Sequence, residues 1–449
     1  MTNQRKPAIL EKPYYPRPPN KIPVDVIDAI MGSGKTTAML QKINRSYGLR
    51  FIYVTPYLDE IDRVISGTRD FKQPEDKGSS KLESLHKLLL NGHNVAMTHQ
   101  LFLMATQETI ELIYHGKYFL ILDEALQTLH KYNDIAPKDK MVNWGDIKWL
   151  RDEGYIEADE HYNVTWKGRI NDDKEWHYSE VQRLALNGSL KWIDKNLFWE
   201  YPAEIFRAFQ SIFILTYLFS NTMLDMYLQM NGFKYEMVSV EDHDGKFELC
   251  DYTDSLEKRQ ELAKLIDIYD GKYNEIGDNP YAFSKKWIEK QDREQIKTIK
   301  KAMRNYKNLV KAEAANVMWT AIKTARFVEK IEGIMGFNYI RKLTAEEKAL
   351  PEKELRKLKQ FVPVNARATN DFADRTVLMY MANRFLNPEY EKYFHARGYT
   401  LDEDQFAISE LVQWIWRSAI RKNQKIHIFI PSIRMRNLLK QWLGVEQSE

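Results

Sequence analysis

Apolar and polar positions along this chain switch repeatedly between two rhythms. Short runs rich in β-branched and aromatic residues read as strands: Val24, Val26, Ile27 and Ile30, then 51–56 (FIYVTP), 94–98 (NVAMT), 118–124 (YFLILDE) and 211–217 (SIFILTY). Between them, 80–90 and 100–114 place apolar residues at helical spacing. Strands alternating with helices predict a parallel sheet covered on both faces, with functional side chains at its C-terminal strand ends. A second alternating set starts near Lys234, with strands expected at 235–240, 317–322, 361–364, 376–381 and 426–430. The expected class is α/β.

Three stretches break this rhythm. Residues 1–23 carry six prolines and read as an extended arm, with Tyr14 and Tyr15 either packed or available to stack on a base. Between Leu126 and Phe209 the alternation lapses, and six of the eleven tryptophans fall there. The run 144–169 reads as a short helix, a glycine turn and two strands around 159–162. It is either a winged-helix-like module or an inserted subdomain, about 133–205, whose tryptophans fill a core of their own. The third stretch, Lys285 to Lys307, holds nine basic residues against three acidic ones. Ile296, Ile299, Met303, Tyr306 and Val310 recur at helical spacing in it, which predicts one long helix with a buried stripe and a basic face. That face is either simply solvated or a track for phosphates, with Lys297, Lys300, Lys301 and Arg304 as its candidate contacts. Thr344 and Glu347 form a capping box that opens a further charged helix.

Composition narrows the function classes. With 449 residues, 44% of them hydrophobic, the chain has room for more than one folded domain. Its 66 basic and 63 acidic residues nearly cancel, so a nucleic-acid surface has to come from local clustering. The single cysteine, Cys250, excludes an internal disulfide framework and fits a reducing compartment. Histidines do not stand at metal-ligand spacing beside cysteines. No signal-peptide pattern or membrane-length apolar run is visible, so the expectation is a cytoplasmic protein with no membrane partner.

The chemistry concentrates at two places. From Ala29 to Thr36 the pattern A-x-x-x-x-G-K-T follows a strand and opens a helix, the context of a phosphate-binding loop. Ala29, Met31, Gly32, Ser33, Gly34, Lys35, Thr36 and Thr37 are its candidate nucleotide contacts. Gly32 and Gly34 let successive N–H groups turn toward a polyphosphate, Lys35 reaches the β and γ phosphates, and Thr36 offers a hydroxyl to Mg²⁺. The second place is the end of 118–124, where Asp123 and Glu124 project as adjacent carboxylates. Asp123 is the candidate metal holder and Glu124 the candidate base for an attacking water. ATP and Mg²⁺ are the expected cofactors.

In this order the motifs resemble those of superfamily 2 helicases of the DEAD/DEAH type, most closely a phage-type branch. Ala29–Thr36 looks like motif I, Thr55-Pro56-Tyr57 like motif Ia, 97–100 (MTHQ) like the next strand-end threonine motif, and 123–126 (DEAL) like motif II. Residues 215–219 (LTYLF) stand in the place of motif III without its usual Ser-Ala-Thr. Residues 365–370 (NARATN) look like motif V, and Gln413 to Arg421 like motif VI, with Arg417 and Arg421 four apart instead of three. The resemblance implies two RecA-like parallel-sheet lobes, with an aromatic-rich insertion between motifs II and III. The lobes would be 24–225 and 226–449, the second carrying a basic helical segment at about 284–311. It further implies ATP between the lobes, a catalytic set of Lys35, Glu124, Gln413, Arg417 and Arg421, and nucleic-acid contacts from Thr55, Pro56, Tyr57, Thr98, His99, Asn365, Arg367 and Thr369. The strand-end threonines also fit ordinary helix N-caps. The implied activity is ATP-driven movement along, or unwinding of, DNA in phage replication or recombination. Single-stranded or forked DNA is the favoured partner, RNA an open one, and replication proteins are further partners. Rival readings are a phage packaging motor and a non-motor regulatory P-loop ATPase.

Overall fold

The computed structural model describes residues 15–76, 78, 80–322, 343–365 and 371–445, and their contacts divide into two units. The first comprises 15–29, Ser33–Tyr252 and Asn387–Leu401. The second comprises Ile30–Gly32 and the described residues of Thr253–Leu386 and Asp402–Glu449.

The first unit's main strands are β1 (Val24–Asp28), β2 (Arg50–Thr55), β3 (Phe71–Lys72), β4 (Asn94–Thr98) and β5 (Tyr118–Asp123). An insertion supplies β6 (Leu129–Lys131), β7 (Ile156–Ala158), β8 (Val164–Trp166), β9 (Leu190–Ile193) and β10 (Asn196–Glu200). The main sheet then resumes with β11 (Ile212–Thr216), β12 (Glu236–His243) and β13 (Lys246–Asp251). Its eight strands run in the order β13-β12-β1-β11-β5-β2-β4-β3, and all pairs are parallel except the β12–β13 hairpin. Period-two packing explains the apolar runs. Val26, Ile52, Val54, Leu120, Leu122 and Ile214 enter one core, while Ile27, Tyr53, Ile121, Phe213 and Leu215 enter a second core on the opposite face. Each such side chain contributes about 1.5–3 kcal/mol when fully buried.

The insertion is a small layered body of its own. A three-stranded antiparallel sheet, β6-β10-β9, and the β7–β8 hairpin pack with the helices Trp144–Asp152 and Ser179–Leu186. Its core holds Ile147, Leu150, Trp166, Val181, Leu190 and Leu197, with Trp144, Trp176, Trp192 and Trp199 packed against it. The tryptophans thus fill a local core, and a helix-plus-wing reading accounts for only the segment 144–166. Trp149 is the most solvated of them, 42% exposed, yet its ring stacks on Tyr155 and Tyr178.

The second unit is built on a four-stranded parallel sheet, β14-β17-β16-β15, from β14 (Ile266–Ile268), β15 (Val317–Ala321), β16 (Val377–Met381) and β17 (Ile426–Phe429). Both units are therefore parallel-sheet α/β bodies.

Four expectations change. The strand at 235–240 does not begin the second sheet. As β12 it pairs with β1, so the first unit runs on to Tyr252. Residues 361–364 form no strand, because Pro363 lacks a donor and only Phe361 bridges to Trp319. The long basic helix is two helices, Lys285–Lys290 and Arg293–Leu309, since the Asp292 side chain accepts from the Gln295 N–H and starts a new helix. Finally, the helix Pro388–Ala396 belongs to the first unit, not the second. Glu389 pairs with Lys131 at 2.6 Å and Arg397 with Glu200 at 2.6 Å, and Tyr393 packs on Phe198. Among the described residues, no helix is long and apolar enough to cross a membrane.

Candidate nucleotide site

Parallel strands bring their C-terminal ends to one edge. The register pairs Asp28 with Thr216, Leu215 with Asp123, and Thr55 with Thr98. β11 lies between the phosphate-loop strand and the Asp-Glu strand and ties both down: the Ala29 N–H donates to the Thr216 carbonyl at 3.3 Å, and the Glu124 N–H to the Leu215 carbonyl at 3.0 Å.

The loop after β1 has the backbone that phosphate binding requires. Gly32 and Gly34 have φ of 79° and 88°, and Gly34 caps the helix Lys35–Arg45. A Cβ on Gly34 would run into the Phe247 ring of β13, so glycine is required there for space as well as for its angle. Among the described residues the enclosed Ser33 hydroxyl has no hydrogen-bond partner, which leaves an acceptor-seeking group inside the loop. The Lys35 ammonium donates to the Ala29 carbonyl, curling back over the loop. Burial lowers the Lys35 pKa, opposed by the charges of Glu124, Asp28 and Asp123. The loop thus places one cation and a helix N-terminus among three carboxylates, a balance suited to an incoming polyanion that brings its own metal.

Asp123 sits at the end of β5 under several restraints. The Tyr53 hydroxyl donates to Asp123 Oδ2 at 2.7 Å. His99 Nε2–H donates to the Asp123 carbonyl at 3.0 Å. Burial, reinforced by the neighbouring Glu124 charge, pushes the Asp123 carboxyl up to about 7. Glu124 itself has φ of 64°, the left-handed region, where a residue with a Cβ is strained. Among the described residues, no cluster of three or more His, Cys, Asp or Glu could hold an ion alone. The Thr36 hydroxyl and Asp123 carboxylate are hard oxygen donors, and they fit a magnesium ion whose other ligands are phosphate oxygens and water.

The structure separates the remaining candidates. Ala29, Met31, Gly32, Ser33, Gly34, Lys35, Thr36 and Thr37 line the loop and the first turn of its helix. Thr55 is 0% exposed and its hydroxyl is enclosed, so it is not a surface contact. Thr98 caps the helix His99–Leu103 by accepting from the Leu101 N–H. His99 is buried behind Asp123, while Pro56 and Tyr57 are half-buried on the turn that follows Thr55. In the second unit Gln413 is half-buried on the helix Glu403–Ile415. Arg417 lies beyond that helix and is 5% exposed, whereas Arg421 is exposed on the 3₁₀ turn Ala419–Lys422. The two arginines therefore share no helical face. Lys301 and Arg304 are exposed on the basic helix, Lys300 is half-buried, and Lys297 pairs with Glu294 at 2.6 Å. Asn365 is exposed; Arg367 and Thr369 lie outside the described residues.

Two positions tied into this strand edge have little or no signature in the sequence. Asp28, whose carboxylate accepts the Leu218 and Phe219 N–H groups, is signalled only by an acid closing an apolar strand. Tyr53 carries no signal, since a tyrosine inside an apolar run reads as core.

Comparison with known proteins agrees with this architecture. A family model described as the YonV C-terminal Rossmann-like domain matches residues 260–443. The SPbeta prophage-derived uncharacterized protein YonV of Bacillus subtilis (strain 168) is 36% identical over 435 residues, covering 94% of this chain and 98% of that protein. The chain belongs to the YonV family. Among solved structures, one described as XPD_APO superposes with a TM-score of 0.52 at 15% identity over 96% of both chains. Another, XPD_Helicase, gives 0.48 at 13% identity over 95% of both. The likeness to XPD_APO is one of fold: this YonV-family chain has two parallel-sheet α/β units.

Proposed function

We propose that this YonV-family chain is a nucleic-acid-stimulated ATPase that moves along or unwinds DNA, in the replication or recombination of a phage. One observation carries the reading: a glycine loop with Lys35 and Thr36, and a strand end with Asp123 and Glu124, share one sheet edge and are both tied to β11. The prophage origin of the Bacillus subtilis relative and the fold shared with XPD_APO support it.

In this reading the loop N–H groups and Lys35 bind the phosphates, and Thr36 and Asp123 hold the cation. Magnesium, when bound, neutralises charge on the transferring phosphoryl group. Glu124 orients a water and takes its proton, and its strained backbone fixes where the carboxylate can point. Arg417 or Arg421 supplies the charge that the transition state needs. The exposed basic residues of Arg293–Leu309 bind the nucleic-acid backbone, with single-stranded or forked DNA as substrate, in the host cytoplasm.

The test is steady-state ATP hydrolysis with no nucleic acid, single-stranded DNA, forked DNA, duplex DNA and RNA, run beside strand displacement. Stimulation by DNA with displacement of a strand is expected. Hydrolysis indifferent to every nucleic acid would leave a regulatory ATPase, and stimulation by duplex without displacement would favour a packaging-type motor.

A further inference from the structure

We propose that Tyr53 is a positioning residue for the nucleotide-bound cation, fixing the Asp123 carboxylate from outside the metal's own ligand shell. This rests on the nucleotide-site reading above and adds to it a residue that touches neither phosphate nor metal.

The geometry is one direct bond: the Tyr53 hydroxyl donates its single proton to Asp123 Oδ2 at 2.7 Å. Asp123, one of the two candidate metal ligands, stands at the end of β5. Tyr53 itself rides on β2, which pairs directly with β5. Its ring is 0% exposed and packs among Ile27, Met39, Ile121 and Leu215. Such a ring cannot swing aside without opening a core packed to crystal-like density, so its hydroxyl stays where the sheet puts it.

That fixity has a chemical consequence. A carboxylate turns easily about its terminal torsion, where the wells are broad. With Oδ2 committed to Tyr53, the plane of the group is set and Oδ1 is the oxygen that would serve the cation. His99 fixes the main chain of the same residue through its 3.0 Å bond to the carbonyl, so side chain and backbone are held independently. Partners in this outer position typically govern metal affinity by about 10–100-fold.

The test uses the full chain and a fluorescent, non-hydrolysable ATP analogue, titrated with Mg²⁺ and separately in EDTA. Tyr53→Phe keeps the ring in the core and removes only the hydroxyl. The Mg²⁺ needed for half-maximal enhancement of binding should rise by about 10–100-fold, while affinity in EDTA stays at the wild-type value. In an Asp123→Asn background the same substitution should have no further effect on the Mg²⁺ requirement. An unchanged Mg²⁺ requirement overturns the proposal, and so does an equal loss of affinity in EDTA, which would mark a packing role. Absence of any Mg²⁺-dependent binding by the wild type would instead sink the nucleotide-site reading and this inference with it.

Discussion

The Asp28 carboxylate accepts the main-chain N–H of Leu218 at 2.8 Å, and that of Phe219 at 3.1 Å through its other oxygen. The residue that ends the phosphate-loop strand thus holds the chain just beyond β11, where Leu218 has a φ of 57°. Strain of this kind persists only where surrounding bonds over-determine it. Asp28→Asn can keep one acceptor but turns an amide N–H₂ on the other donor. We expect a loss of about 1–3 kcal/mol, seen as a lower urea midpoint. Burial outweighs the two donors and raises the Asp28 pKa above its ordinary 3.8. A raised carboxyl makes ionisation unfavourable in the folded state, so its contribution to stability falls as pH climbs above that ordinary value. Asp28→Asn should remove that slope, and urea midpoints across a pH series measure it.

Lys35→Ala should abolish ATP turnover, because it removes the charge that meets the transferred phosphoryl group. Glu124→Gln should bind ATP and stall, since binding uses the loop and only the water step needs the carboxylate. Hydrolysis by Glu124→Gln at close to the wild-type rate would show that the base lies elsewhere.

At least one of Arg417→Ala and Arg421→Ala should slow ATP hydrolysis by about a thousandfold with the fold intact. Arg417 is enclosed and Arg421 exposed, so thermal unfolding has to accompany the kinetics. A slow Arg417→Ala that melts like the wild type identifies a catalytic arginine; full activity in both variants removes that role from this segment.

Changing Lys297, Lys300, Lys301 and Arg304 together to Gln leaves the buried stripe of Ile296, Ile299 and Met303 in place. If the face tracks a nucleic-acid backbone, the salt dependence of single-stranded DNA binding should become shallower, by about 0.7 for every phosphate no longer neutralised. Lys297 already neutralises Glu294, so its share should be the smallest. Basal ATPase should not change. An unaltered slope would mean the face meets only water.

Arg397→Ala should destabilise the first unit by about 3–5 kcal/mol, because Glu200, 6% exposed, would stay buried without its 2.6 Å partner. Calorimetry should show the loss, and Arg397→Ala combined with Glu200→Ala should recover part of it.

The glycine loop with its Lys-Thr pair, the Asp-Glu strand end and the parallel-sheet class are all legible in the order of residues. Each is a local signal: glycines where the chain needs positive φ, a Lys-Thr pair at a helix start, and acids closing an apolar strand. The apolar runs also tell which strands are covered on both faces, because a strand buried twice has no polar alternation to show. Partnership across the chain is settled by folding alone. The strand at Glu236–His243 reads the same whether it opens a second sheet or closes the first, and only pairing with β1 assigns it. The helix Pro388–Ala396 joins the first unit through Glu200 and Phe198, nearly two hundred residues earlier, and no local pattern encodes such a contact. Tyr53 is the sharpest case. Its run is apolar because the sheet is buried, and its hydroxyl acquires a role only when β5 brings Asp123 within 2.7 Å of it.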